Sequence, residues 1–241
     1  MLTKRPFLWA ALLLAACVVA LPYSTPLFVS LFPQLDRPLY TQESFAWLLW
    51  QHVLLVGASS LLAVVAGTAV GIAITRSSGQ SFKPLIESVL ATSQAVPPVA
   101  VLALAVPVVG FGELPALLAL ALYGLLPVVQ GTVSGLQDVP ALQRQAALSL
   151  GLSGNQSLRY IGIPLALPVW LSGVRTSIII NIGTAAIAST VGAKTLGSPI
   201  IVGLSGFNTA YILQGALVLA LLAVTVDMAF EVLARRLAWR G

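Results

Sequence analysis

The sequence predicts an all-α polytopic membrane protein of about six transmembrane helices, with both termini cytoplasmic. Of its 241 residues, 58% are hydrophobic and 8% charged, a composition that excludes an ordinary soluble surface. Apolar runs approaching or exceeding the roughly 20 residues that span a bilayer recur along the chain, separated by short polar or proline-rich stretches. The charges fall singly between those runs and segregate by side.

Phe7 to Leu21 follows Lys4 and Arg5 and reads as the first helix. A basic start with Leu14-Ala15-Ala16-Cys17 also fits a lipoprotein leader cut before Cys17, but the membrane domain that follows favours a retained helix. Pro22, Pro26, Pro33 and Pro38 break the stretch up to Ser44, which reads as an external loop. Residues 1–44 are thus an N-terminal helix with its loop, and 45–241 form the main transmembrane domain.

The second span is Trp47 to Ile74, where Gly57, Gly67 and Gly71 are expected to allow close helix contact. Pro84 to Val108 is the third, interrupted by Thr92-Ser93-Gln94-Ala95-Val96-Pro97-Pro98. Prolines remove backbone donors, and a bilayer tolerates that only where protein or a water-filled cavity satisfies the freed groups. Thr92, Ser93, Gln94, Pro97 and Pro98 are therefore candidates for lining a pathway, as are Asn181 and Thr184 further on; a packed kink and helix-bridging polar groups are the competing readings. The fourth span is Pro115 to Val129, the fifth Leu165 to Val191, and the sixth Ala210 to Ala234. Gly192 to Asn208, rich in glycine, reads as a re-entrant or surface-lying element outside.

Short internal loops should hold the Lys and Arg residues. Lys4, Arg5, Arg76, Lys83, Arg144, Arg159, Arg235, Arg236 and Arg240 lie on one side of this topology, against Arg37 and Lys194 on the other, with Arg175 inside the fifth span. The net charge of +5 is thereby explained by orientation in the bilayer, and no basic stripe with aromatic interleaving suggests nucleic acid. One cysteine excludes an intrachain disulfide, the single His52 has no catalytic partner, and no metal or cofactor site is expected.

Arg144 to Pro168 is the longest polar interlude, and residues 134–164 read as a loop on the internal side. Asp138 can cap a helix with Pro140 in its first turn, Gly151 can end it, and Ser153 with Gln156 fits a capping box opening a second short helix that Gly162 and Pro164 end. Two short helices lying along the membrane would offer a contact to a soluble partner. No phosphate-binding loop occurs, so the energy source must lie in another protein.

The spacing Gln145-Ala146-Ala147, three residues, Gly151, nine residues, Ile161, one residue, Ile163-Pro164 resembles the Glu-Ala-Ala signature of permease subunits of ATP-binding-cassette importers, with Gln145 and Ile163 in place of Glu and Leu. Tyr123 to Pro127, Pro164 to Pro168, Gly173 to Thr176 and Gly192 to Gly197 are similar to the branch that imports osmoprotectants such as glycine betaine, choline and carnitine. The resemblance covers roughly 45–237 and implies a five-helix type I importer core preceded by one extra helix. It implies as partners an ATPase dimer that binds the ATP, a second permease copy or paralogue, and an external substrate-binding protein. Arg144, Gln145, Ala146, Ala147, Gly151, Ile161 and Pro164 would carry the ATPase contact. A permease for another small solute, such as an amino acid, and an ion-coupled carrier or channel remain alternatives.

Overall fold

A computed structural model describes residues 5–238; Lys4 and Arg240, both counted on the internal side above, lie outside them. Among the described residues the ordered elements are all helical. They are α1 (Arg5–Ala20), α2 (Thr25–Leu31), α3 (Phe45–Thr75), α4 (Lys83–Ala95), α5 (Pro98–Val109), α6 (Glu113–Gln137), α7 (Ala141–Ser149), α8 (Gly154–Ser157), α9 (Ile163–Ala185), α10 (Ser198–Ser205) and α11 (Thr209–Ala238). Five apolar stretches are long enough to cross a membrane, and six if α4 and α5 count as one broken span.

Proline sets many of the boundaries. Pro26, Pro84, Pro98, Pro164 and Pro199 sit in the first turn of α2, α4, α5, α9 and α10, where a missing N–H costs nothing. Residues before proline are pushed out of the helical region, and Val96 and Pro97 are both extended, at ψ 128° and 137°. The third span is accordingly two helices that meet at 94°.

The bundle centre is α3, α6 and α9. A Cβ on Gly67 or Gly71 of α3 would meet Val128 or Thr132 of α6 at 2.9 and 2.6 Å. Gly131 and Gly173 bring the α6 and α9 backbones into direct contact, since a Cβ on Gly173 would lie 2.5 Å from the Pro127 carbonyl oxygen. Such approaches supply the dispersion contact that holds helices together where lipid gives no hydrophobic drive. Gly57, expected in the same role, faces open space.

The N-terminal segment shares this core. Leu14, Val18, Phe28 and Tyr40 belong to one buried apolar cluster with Leu48, Ile182, Leu196 and Val218. The 32–44 stretch is pinned to α11 and the residue before it: Gln214 Nε2 donates to the Pro38 carbonyl (2.7 Å), Gln214 Oε1 accepts from the Tyr40 N–H (3.1 Å), and Asn208 Nδ2, just ahead of α11, donates to the Arg37 carbonyl (2.9 Å).

Several boundaries differ from the sequence expectation. The external loop contains α2, and the fourth span continues past Val129 to Gln137 as α6. The fifth ends at Ala185, with a 3-10 turn over Ile187–Val191, and the Gly192 to Asn208 element contains α10. Hydropathy alone ended the fourth span early, because Gln130 interrupts the apolar run while leaving the helix intact.

Candidate functional site

The residues of the polar interlude gather at one end of the bundle. Helix α7 carries Arg144, Gln145, Ala146 and Ala147, of which Gln145 and Ala146 are exposed and Ala147 is buried. Gly151 follows with φ +69°, a conformation that glycine adopts without strain, and the Leu152 N–H closes on the Ala147 carbonyl at 3.1 Å. The capping box forms as expected, with Ser153 Oγ accepting from the Gln156 N–H (3.3 Å) and Gln156 Oε1 accepting from the Ser153 N–H (2.8 Å).

Two expectations for this element fail. Asp138 terminates α6 and does not cap α7, whose N-cap is Pro140 without a side-chain bond. Gly162 and Pro164 do not end the second short helix. After one turn, α8 passes through a five-residue π turn, Leu158–Gly162, directly into α9, so that Gly154–Ala185 forms one continuous apolar stretch. Pro164 lacks a donor only where the first turn of α9 needs none, so it permits continuation. Ile161 lies half-buried in the π turn, a helix irregularity that recurs at functional positions. Arg76, just beyond α3, hydrogen-bonds Asn155 of α8.

The candidate pathway residues differ in burial and in hydrogen-bond partners. Pro127 cannot donate to the Tyr123 carbonyl four residues earlier; Gln94 Nε2 donates there instead, at 2.9 Å, and the Tyr123 hydroxyl donates to the Val96 carbonyl. Gln94 thus laces the α4–α5 break to α6. Thr92 is exposed with its hydroxyl bonded to the Ser88 carbonyl (2.8 Å), and Ser93 is half-buried and donates to the Leu90 carbonyl (2.7 Å). Pro97 is exposed and Pro98 half-buried at the bend itself. Asn181 is fully buried, donates to Ser60 Oγ at 3.0 Å and leaves Oδ1 without a partner, while Thr184 one turn on is half-buried.

A polar face that the sequence reading passed over lies on α6. Gln130, Ser134 and Gln137 are exposed and, with Lys83, Glu87 and Ser88 of α4, line an open groove of about 650 Å³. Their spacing of four and three residues, on one helix face, was legible in the sequence. Exposed amides and hydroxyls in a span must meet water or protein rather than lipid. Glu87 pairs loosely with Lys83 (3.9 Å), whereas Arg175 makes a two-pronged bond to Asp227 of α11, both contacts at 2.6 Å.

At the opposite end, Lys194 Nζ donates to Glu43 at 2.6 Å and the Tyr40 hydroxyl also donates to Glu43. Burial pushes the Glu43 carboxyl up, but the Lys194 and Tyr40 bonds outweigh it and hold its pKa below the usual carboxylate range. His52 is buried, with Nε2 on the Ile182 carbonyl (3.1 Å) and Nδ1 accepting the Leu196 N–H (3.3 Å), which accounts for both ring nitrogens structurally.

With this geometry in view, residues 63–239 match the family described as binding-protein-dependent transport system inner membrane components. The chain belongs to that family. This permease is 36% identical over 197 residues to the osmoprotectant import permease protein OsmY of Salmonella typhimurium, covering 82% of this chain and 84% of the relative. It is 34% identical to the glycine betaine/carnitine/choline transport system permease protein OpuCB of Bacillus subtilis, covering 76% of this chain and 85% of the relative. Its fold is shared with the permease chain of an inward-facing MetNI methionine transporter, with a TM-score of 0.72 at 20% identity over 82% of this chain and 99% of the other. The permease is therefore a multi-pass inner-membrane transport component, not itself a catalyst.

Proposed function

We propose that this permease, paired with a second copy or a paralogue, forms the path of an ATP-driven importer for a small osmoprotectant such as glycine betaine, choline or carnitine. The observation that carries the reading is the α7–α8 element, where exposed Gln145 and Ala146 precede the Gly151 turn in the spacing of an ATPase-docking signature. The partner ATPase dimer binds and hydrolyses ATP, a separate external protein delivers the solute, and the docking element faces the cytoplasm with both termini. The 45–241 unit forms the path, and residues between Leu14 and Tyr40 brace α11.

The groove between α4 and α6 supports the same reading. Its amides and hydroxyls offer hydrogen bonds to water or a passing polar solute, and the second permease would close its open side. Solute recognition rests with the binding protein; the rings that do cluster here, Tyr40 with Phe45 and Tyr211, pack edge to face on one another, with Tyr40 and Phe45 buried.

The test is reconstitution of the complete importer in liposomes with ATP inside, following uptake of labelled glycine betaine, choline, carnitine and methionine. Uptake of a quaternary amine that needs both ATP and the binding protein is expected. Uptake driven by an ion gradient without ATP would overturn the assignment in favour of a carrier, and methionine uptake alone would reassign the substrate.

A further inference from the structure

The docking signature places Arg144 beside Gln145, where a cation reads most simply as a contact for the ATPase. Two of its three guanidinium nitrogens are instead bonded within the permease. Nη2 donates to the carbonyls of Leu136 (2.7 Å) and Gln137 (2.9 Å), and Nε donates to that of Val139 (3.1 Å). Leu136 and Gln137 are the last residues of α6, whose final carbonyls have no intrahelical partner and carry the negative end of the helix dipole. A planar fork of fixed donors meets several such oxygens at once, which a lysine ammonium cannot do in the same geometry. The two helices are joined by just Asp138, Val139 and Pro140, so the Arg144 fork spans the joint and fixes the angle at which α7 leaves α6.

Helix α6 is also where a displacement has most effect. It packs backbone to backbone on α9 through Gly131 and Gly173, and it carries Gln130 and Ser134 into the groove. Any push on α7 therefore reaches α6 through a charged, multiply bonded joint.

We propose that Arg144 is a positioning residue which makes the docking helix and α6 move as one body, and that it is not an ATPase contact. The proposal rests on the ATP-driven reading above. In its absence α7 swings at Pro140, the ATPase still docks and turns over, and the motion is lost before it reaches the path.

The experiment uses the full importer in liposomes and measures four quantities for wild type, Arg144→Ala and Arg144→Lys: ATPase co-purification, binding-protein-stimulated hydrolysis, solute moved per ATP, and Tm. For Arg144→Ala the ATPase should co-purify and hydrolyse as before, with solute per ATP at least about fivefold lower, the lower bound of typical coupling between sites. Arg144→Lys, which keeps the charge at the helix end but loses the fork, should fall between. Loss of ATPase co-purification in Arg144→Ala would overturn the proposal and make Arg144 a docking contact. A lowered Tm with unchanged solute per ATP would reduce it to a stabilising cap. If Arg144→Ala is not recovered from membranes, Arg144→Lys decides, and a wild-type ratio there overturns the proposal. Failure of the underlying reading is separately visible, because wild type would then neither co-purify with an ATPase nor need ATP.

Discussion

Gly173→Ala probes the contact on which the bundle depends. The added Cβ would lie 2.5 Å from the Pro127 carbonyl oxygen and 3.0 Å from the Gly131 Cα. Ordinary contact begins at 3.4 Å, so α6 and α9 must part by nearly 1 Å. Both obstructing atoms are backbone, and no rotamer change relieves them. Overpacking of this kind costs about 1–3 kcal/mol, and a chain of this size loses roughly 2–4 °C of Tm per kcal/mol. Thermal unfolding of the detergent-solubilised permease should therefore shift down by about 2–12 °C. Parting the helices also disturbs the Ser177 hydroxyl bond to the Gly124 carbonyl (2.8 Å), so uptake should fall with stability. Gly57→Ala is the matched control, since that position opens on space and its Tm should stay at wild type. Equal Tm values for the two variants would refute the claim that the α6–α9 backbones are in contact.

Other outcomes follow from the same geometry. Gln145→Glu restores the acidic residue of the signature at an exposed position and should slow ATPase dissociation, read by surface plasmon resonance at low and high salt, with the gain shrinking as salt rises. Gly151→Val forces a branched side chain to φ +69°, which costs about 1 kcal/mol or more, and should abolish coupled uptake while the protein still inserts in the membrane. The Glu43 carboxyl is held below its unfolded pKa, so its contribution is present above that value and disappears as pH falls through the depressed folded one. Protection against hydrogen exchange at residues 37–43, corrected for the intrinsic rate at each pH, should accordingly fall only in acid. Because Lys194 is half exposed, Lys194→Gln at pH 7 should change stability by no more than about 1 kcal/mol.

The spans, the Gly151 turn and the Ser153–Gln156 box were all legible in the sequence, because each depends on local chemistry: apolar run length, left-handed backbone and a reciprocal cap. Gln130, Ser134 and Gln137 were equally legible as one helix face, but polarity was taken as the end of a span.

What only the tertiary structure decided concerns groups whose partners are distant in the chain. Gln94, a candidate path-lining amide, donates to the Tyr123 carbonyl that Pro127 leaves bare. Of the three glycines on α3, Gly67 and Gly71 meet α6 and Gly57 does not, a matter of which way the helix faces. Arg175 pairs with Asp227 of α11, and Arg144 bonds the carbonyls that end α6. Sequence fixes what a side chain can bond, whereas the nearest unsatisfied group depends on how the helices pack, and in a bilayer that group must be found within the protein.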